Sequence, residues 1–172
     1  MTLQRPFIVV GIDPGQNTGV ARFLFDQGIQ RLVHSYTLKH KALEPGCKQD
    51  RVIKFITKNG EQMFRGADFV VVEGVQTYRG YGKRGGFTRK GKPYAGFVPI
   101  EALKGASEII GTIKSICHRL RVPCLMYMRP ELLQAIFGNR SLTKEQVRKR
   151  TKLSYPELAV LDEHSRDAAL GA

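Results

Sequence analysis

The stretch FIVVGIDPGQNTG, residues 7–19, decides how the rest of the chain is read. Phe7, Ile8, Val9, Val10 and Ile12 form a short, largely β-branched apolar run, the pattern of a strand buried on both faces. The run ends on a carboxylate, Asp13, and breaks at Pro14-Gly15. Burying an unpaired carboxylate is costly, so Asp13 belongs at the strand tip beside a partner. The plainer alternative is an acid that merely opens a Pro-Gly turn. A second run weighs against it, because Val70, Val71 and Val72 lead into Glu73 and Gly74 in the same way. Two buried-type strands that each deliver an acid at the C-terminal end place both carboxylates along one edge of a sheet.

Outward from that stretch, residues 20–25 read as a second strand, Asp26-Gln27-Gly28 as a hairpin turn, and residues 29–38 as a third strand. Residues 48–64 carry Val52, Ile53, Phe55, Ile56 and Met63 at helical spacing, weakened at Gly60. The strand 68–73 follows. A strand, helix, strand passage returns parallel and right-handed, which sets the Glu73 strand beside the Asp13 strand. Residues 98–120 predict a long helix and 122–128 a fifth strand. Pro130 opens a short helix to Phe137. Thr143-x-x-Gln146 has the form of a capping box for a basic helix through Lys152. Residues 158–172 predict a further short helix. No repeat or linker divides the chain, so residues 1–172 read as one α/β domain.

The chain of 172 residues has an ordinary apolar fraction of 42% and charged fraction of 25%. Its charge balance is unusual: 28 Lys+Arg against 15 Asp+Glu, a formal +13, with a pI of about 10.0. That sign and size predict a polyanionic partner, nucleic acid foremost. Anionic membrane is the rival, but no apolar run approaches the ~18 residues of a bilayer span. The N-terminus lacks a secretory signal pattern. Cys47, Cys117 and Cys124 have no C-x-x-C spacing and read as reduced thiols, with neither a disulfide framework nor a zinc site. The expectation is a cytoplasmic protein.

Two further constellations carry chemistry. His164 and Asp167 stand three apart and share a face if residues 163–170 are helical. Ala168, Ala169 and Leu170 would pack that helix on the sheet, turning His164 and Asp167 toward Asp13 and Glu73. Three carboxylates and an imidazole in one place call for divalent metal, and hard oxygen donors favour Mg²⁺ or Mn²⁺ over zinc. Two such ions about 4 Å apart are a standard arrangement for phosphodiester hydrolysis. The alternative is a solvated helix start with its acids near the positive dipole end. The other constellation is residues 76–97, with six glycines and no acid. There Arg79, Lys83, Arg84, Arg89, Lys90 and Lys92 alternate with Tyr78, Tyr81, Phe87, Tyr94 and Phe97. Cations neutralise phosphates and aromatics stack on unpaired bases, so this stretch predicts a DNA-binding loop rather than a solubilising insertion. The basic helix that contains Lys144 and Arg148 reads equally well as a DNA contact or a solvated face.

GIDPG at 11–15 with Gly19, VVVEG at 70–74 and HSRDAAL at 164–170 resemble the RuvC family of Holliday junction resolvases. So does the segment VPCLMYMRPELLQAIFGNRSLTKEQV at 122–147. The resemblance implies an RNase H-like fold, a five-stranded mixed sheet in order 3-2-1-4-5 flanked by helices. It implies a homodimer that nicks a four-way DNA junction in pairs, using two Mg²⁺ ions per site with Mn²⁺ as a substitute. In-line attack by water on metal would leave a 3′-hydroxyl and a 5′-phosphate. Asp13, Glu73, His164 and Asp167 match the metal-binding positions, and Lys144 matches a basic residue near the scissile phosphate. Three departures stand out. A Phe common three residues after the strand-four Glu is Gln76 here, leaving Tyr78 or Tyr81 for the junction centre. A second family lysine falls on Leu133, leaving Arg129 or Arg140 to supply its charge. The loop after Glu73 is longer and more basic, which would suit a divergent, phage-type relative. The alternatives are another RNase H-like nuclease (flap, RNA/DNA hybrid or rRNA-precursor processing), a non-catalytic junction-binding protein, or a sugar-kinase or actin-like ATPase. The last needs two such domains around a cleft, and this chain has room for one.

Overall fold

β1 (Phe7–Asp13) is the middle strand of a five-stranded sheet ordered β3-β2-β1-β4-β5. The computed structural model describes residues 5–39, 48–75 and 100–172. β2 (Asn17–Asp26) and β3 (Ile29–Lys39) continue antiparallel from β1. Gln27 and Gly28 both take positive φ between them, the two-residue turn whose twist suits a hairpin. β4 (Phe69–Glu73) and β5 (Cys124–Tyr127) add in parallel on the other side of β1. Val9, Val10, Gly11 and Ile12 are all buried, as a strand covered on both faces requires.

One face of the sheet carries α1 (Lys48–Phe64) and α2 (Ile100–Leu120). Val10, Ile12, Val20, Val70 and Val72 meet Val52, Ile56, Ile109, Ile113 and Ile116 there in one apolar core. Gly60 does not weaken α1. A Cβ at that position would lie 2.5 Å from Ile116 Cδ1, so its bare backbone is what admits α2 so close. α2 ends on Arg121 at φ 56°, with the Val122 amide donating back to Cys117 O at 2.9 Å.

α3 (Arg129–Phe137) follows β5 directly, with Pro130 in its first turn and Leu133 buried. α4 (Lys144–Ser154) begins with the expected capping box: Gln146 N donates to Thr143 Oγ1, and Thr143 N to Gln146 Oε1. The segment expected as one helix over 158–172 is instead a 3-10 turn (Pro156–Leu158) followed by α5 (Glu163–Gly171). Asp162 stops the earlier start, because its carboxylate caps α5 by accepting from Ser165 N at 3.1 Å. α5 covers the second sheet face, where Ala168 and Ala169 pack with Ala21, Phe23 and Leu158.

Candidate active site

The β1/β4 register pairs Ile12 with Val72, so Asp13 and Glu73 emerge at the same level from adjacent strand ends. The turn after Asp13 is tied by Thr18, whose buried hydroxyl donates to Gly15 O and accepts from Gly15 N. α5 reaches these strand ends because two glycines let it come down onto the sheet. A Cβ on Gly19 would lie 2.0 Å from His164 O, and one on Gly11 would lie 2.0 Å from Ala168 O. The start of α5 is also clipped to β3. Thr37 Oγ1 donates to Asp162 Oδ1 at 2.6 Å and stands 2.9 Å from Ser165 Oγ. Burial opposes ionisation of Asp162, but bonds from Thr37 and Ser165 outweigh it and hold its carboxyl below the usual value.

Docked in this way, α5 delivers His164 and Asp167 to the strand-end acids. His164 Nδ1 lies 3.0 Å from Asp13 Oδ2, and that hydrogen bond raises the imidazole pKa against the effect of burial. Asp167 is 9% exposed and receives a bond from Arg129 Nη1 at 2.8 Å. The same nitrogen lies 4.0 Å from Glu73 Oε2. Burial, reinforced by the charge of Asp13, pushes Glu73 up to about 7; Asp167 adds to the rise, while Arg129 and Lys144 oppose it. Burial raises Asp167 as well, against the pull of Arg129. The structure thus brings the four residues expected at the site to one sheet edge as two linked pairs, His164 with Asp13 and, through Arg129, Asp167 with Glu73.

Lys144, at the first position of α4, is exposed and ion-paired with Glu163. That bond lowers the Glu163 pKa. Arg148 and Lys144 line a pocket of about 390 Å³ between α4 and α5, which Arg129 and Asp167 line as well. Arg140 is exposed in the segment between α3 and α4. Tyr78, Arg79, Tyr81, Lys83, Arg84, Phe87, Arg89, Lys90 and Lys92 lie outside the described residues. Two members of the neighbourhood carried no sequence signal of their own. Glu163 looks like any helix-start acid. Tyr127, paired with Glu73 across β4/β5, buries its hydroxyl without a hydrogen-bond partner. Burial and the charge of Glu73 raise the pKa of that phenol.

The donor set, three carboxylates and an imidazole, suits a hard divalent cation, and the Arg129 guanidinium already offsets part of its negative charge. Among the described residues, no three His, Cys, Asp or Glu side chains stand grouped so as to hold a metal ion as they are. His164 and Arg129 each occupy one of the acids.

Three antiparallel strands extended by two parallel ones, with helices on both faces, make an RNase H-like fold. Thermus thermophilus RuvC shares it, at a TM-score of 0.66 and 21% identity, over 96% of this chain and 91% of that one. T. thermophilus RuvC in complex with Holliday junction substrate superposes at a TM-score of 0.64 and 21% identity, over 96% and 90% of the two chains. At this identity the likeness is one of fold. No protein-family model matches the chain, and no curated protein sequence does.

Proposed function

We propose that this protein is a structure-selective endonuclease that resolves four-way DNA junctions, acting as a homodimer with Mg²⁺ or Mn²⁺. One observation carries the reading: the acids at the ends of β1 and β4 meet His164 and Asp167 of α5 at one sheet edge. They do so on a fold shared with a RuvC whose structure holds a Holliday junction. Asp13, Glu73 and Asp167 would supply oxygen ligands, and His164 a nitrogen, to two divalent ions per site. A bound divalent ion supplies positive charge that activates water and stabilises the leaving oxygen. The chain's own groups do the rest. His164, whose Nδ1 is held against Asp13, would in the alternative to ligation hold a proton during turnover. Lys144 offers an ammonium for the scissile phosphate once it leaves Glu163. Arg129 supplies the second cation that Leu133, buried in α3, does not. The basic loop over 76–97 would grip phosphates and stack on bases at the branch.

The test is a synthetic four-way junction incubated with and without Mg²⁺, beside linear duplex, flap and RNA/DNA hybrid. Paired, Mg²⁺-dependent nicks in the junction alone are expected. Equal cutting of flap or hybrid would transfer the protein to another RNase H-like activity. A junction-binding protein without catalysis draws some support from the two acids already paired to His164 and Arg129. Asp13→Asn separates that reading: junction affinity is expected to persist and cleavage to vanish.

A further inference from the structure

Arg129 is tied to the acids themselves, a contact that goes beyond supplying a cation to the phosphate. It is the first residue of α3, directly beyond β5, and Pro130 fixes the backbone turn there. Its side chain is only 24% exposed and reaches back across the sheet edge. One nitrogen lies 2.8 Å from Asp167 and 4.0 Å from Glu73. A guanidinium so placed offsets the charge of two of the three carboxylates, and it occupies an Asp167 oxygen that would otherwise be free to ligate a cation. We propose that Arg129 is a tethered counter-ion that competes with the divalent cation for Asp167 and Glu73. This rests on the reading of the acids as a cation site.

The geometry supplies both halves of such an exchange. With no cation bound, removing the guanidinium would leave carboxylates crowded in a poorly solvated edge. With a cation bound, the guanidinium would face an extra positive charge a few ångströms away and be driven off. Its exit is the pocket between α4 and α5, which Arg129, Asp167, Lys144 and Arg148 all line. A guanidinium released there joins two other cations on the side where Lys144 awaits phosphate. Cation binding would then strengthen DNA binding, and by reciprocity DNA would strengthen cation binding.

The competition is measured by titrating Mn²⁺ calorimetrically at pH 8, without DNA, into the wild type, R129Q, R129K and D13N. R129Q is expected to bind about tenfold more tightly, the size of one charge-assisted hydrogen bond removed from the competitor. R129K should fall between. Equal or weaker binding by R129Q, with Asp13-dependent binding intact in the wild type, overturns the proposal alone. No Asp13-dependent binding in any variant overturns the cation-site reading and this proposal together. The wild type gives a second measurement should R129Q misfold. The Arg129 Nε–Hε resonance, assigned through R129K, should shift and exchange faster with water as Mg²⁺ is added. An unperturbed resonance at saturating Mg²⁺ makes Arg129 a fixed structural partner and overturns the proposal.

Discussion

At Glu73, burial and the neighbouring charge of Asp13 lift the carboxyl from 4.5 to about 7. The folded, cation-free protein therefore holds a proton that the unfolded chain releases. Stability contributed by that proton is complete below pH 4.5 and lost as pH rises through 7. Asp167, raised by burial, and His164, raised by Asp13, act in the same direction. Urea unfolding in EDTA should show roughly 2–3 kcal/mol less stability at pH 8 than at pH 5. Glu73→Gln should remove most of that difference, and saturating Mg²⁺ should restore the wild type at pH 8. A flat wild-type profile over this range would contradict the crowding of the acids. Lys144 makes a different prediction. Its ammonium is exposed and, among the described residues, ion-paired with Glu163, so Lys144→Ala should leave the fold untouched. Cleavage should slow on the order of 10²-fold with little change in junction affinity. Matched losses in rate and affinity would make Lys144 an ordinary phosphate contact.

Among the elements, α5 is the one on which the site depends most, and its seat is cut by two glycines. Gly19→Ala would drive a methyl group into His164 O, forcing α5 outward. Overpacking of this kind costs about 1–3 kcal/mol. A shift of about 1 Å at a catalytic group costs on the order of 10² in rate. Gly19→Ala is thus expected to melt only modestly lower and to bind junctions normally, yet to cut them far more slowly. Full activity in that variant would mean that α5 position is not critical. Arg121 is the converse case, a side chain in the left-handed region at the end of α2. Arg121→Gly should stabilise by up to about 1 kcal/mol in chemical denaturation. Much of this layer was legible in the sequence. The β-branched runs of β1 and β4 and the Thr143/Gln146 box announce themselves through local pattern. The start of α5 did not. Leu158 and Leu161 sit at helical spacing, and only the capping of Ser165 N by Asp162 shows that the helix begins later. Gly11 and Gly19 were equally opaque, because a glycine's purpose is set by which backbone lands on it.

At the scale of the whole molecule, the strand order implied by the family resemblance and the placement of Asp13 and Glu73 at neighbouring strand ends could be anticipated. Two strands ending in acids and one His-x-x-Asp helix leave few ways to assemble. The Arg129 link to Asp167 could not be, since it depends on how far a guanidinium reaches between elements 38 residues apart in sequence. Net charge sets the remaining prediction. Deleting residues 78–92 removes six of the 28 cationic side chains. If these contact phosphates, the slope of log affinity against log salt should flatten by about three to five. An unchanged slope would return the segment to a solubilising role.

The contact between Asp13 and His164 spans 151 positions of the chain. A polypeptide emerging from the ribosome exposes both strand-end acids, and most of its positive charge, well before residues 163–171 are available to join them. On the proposed function, such a nascent chain would carry the cations that meet DNA without the complete apparatus to cut it. The hydrolytic power proposed above would be switched on in a single late docking event, an order of assembly that spares the cell a half-built nuclease.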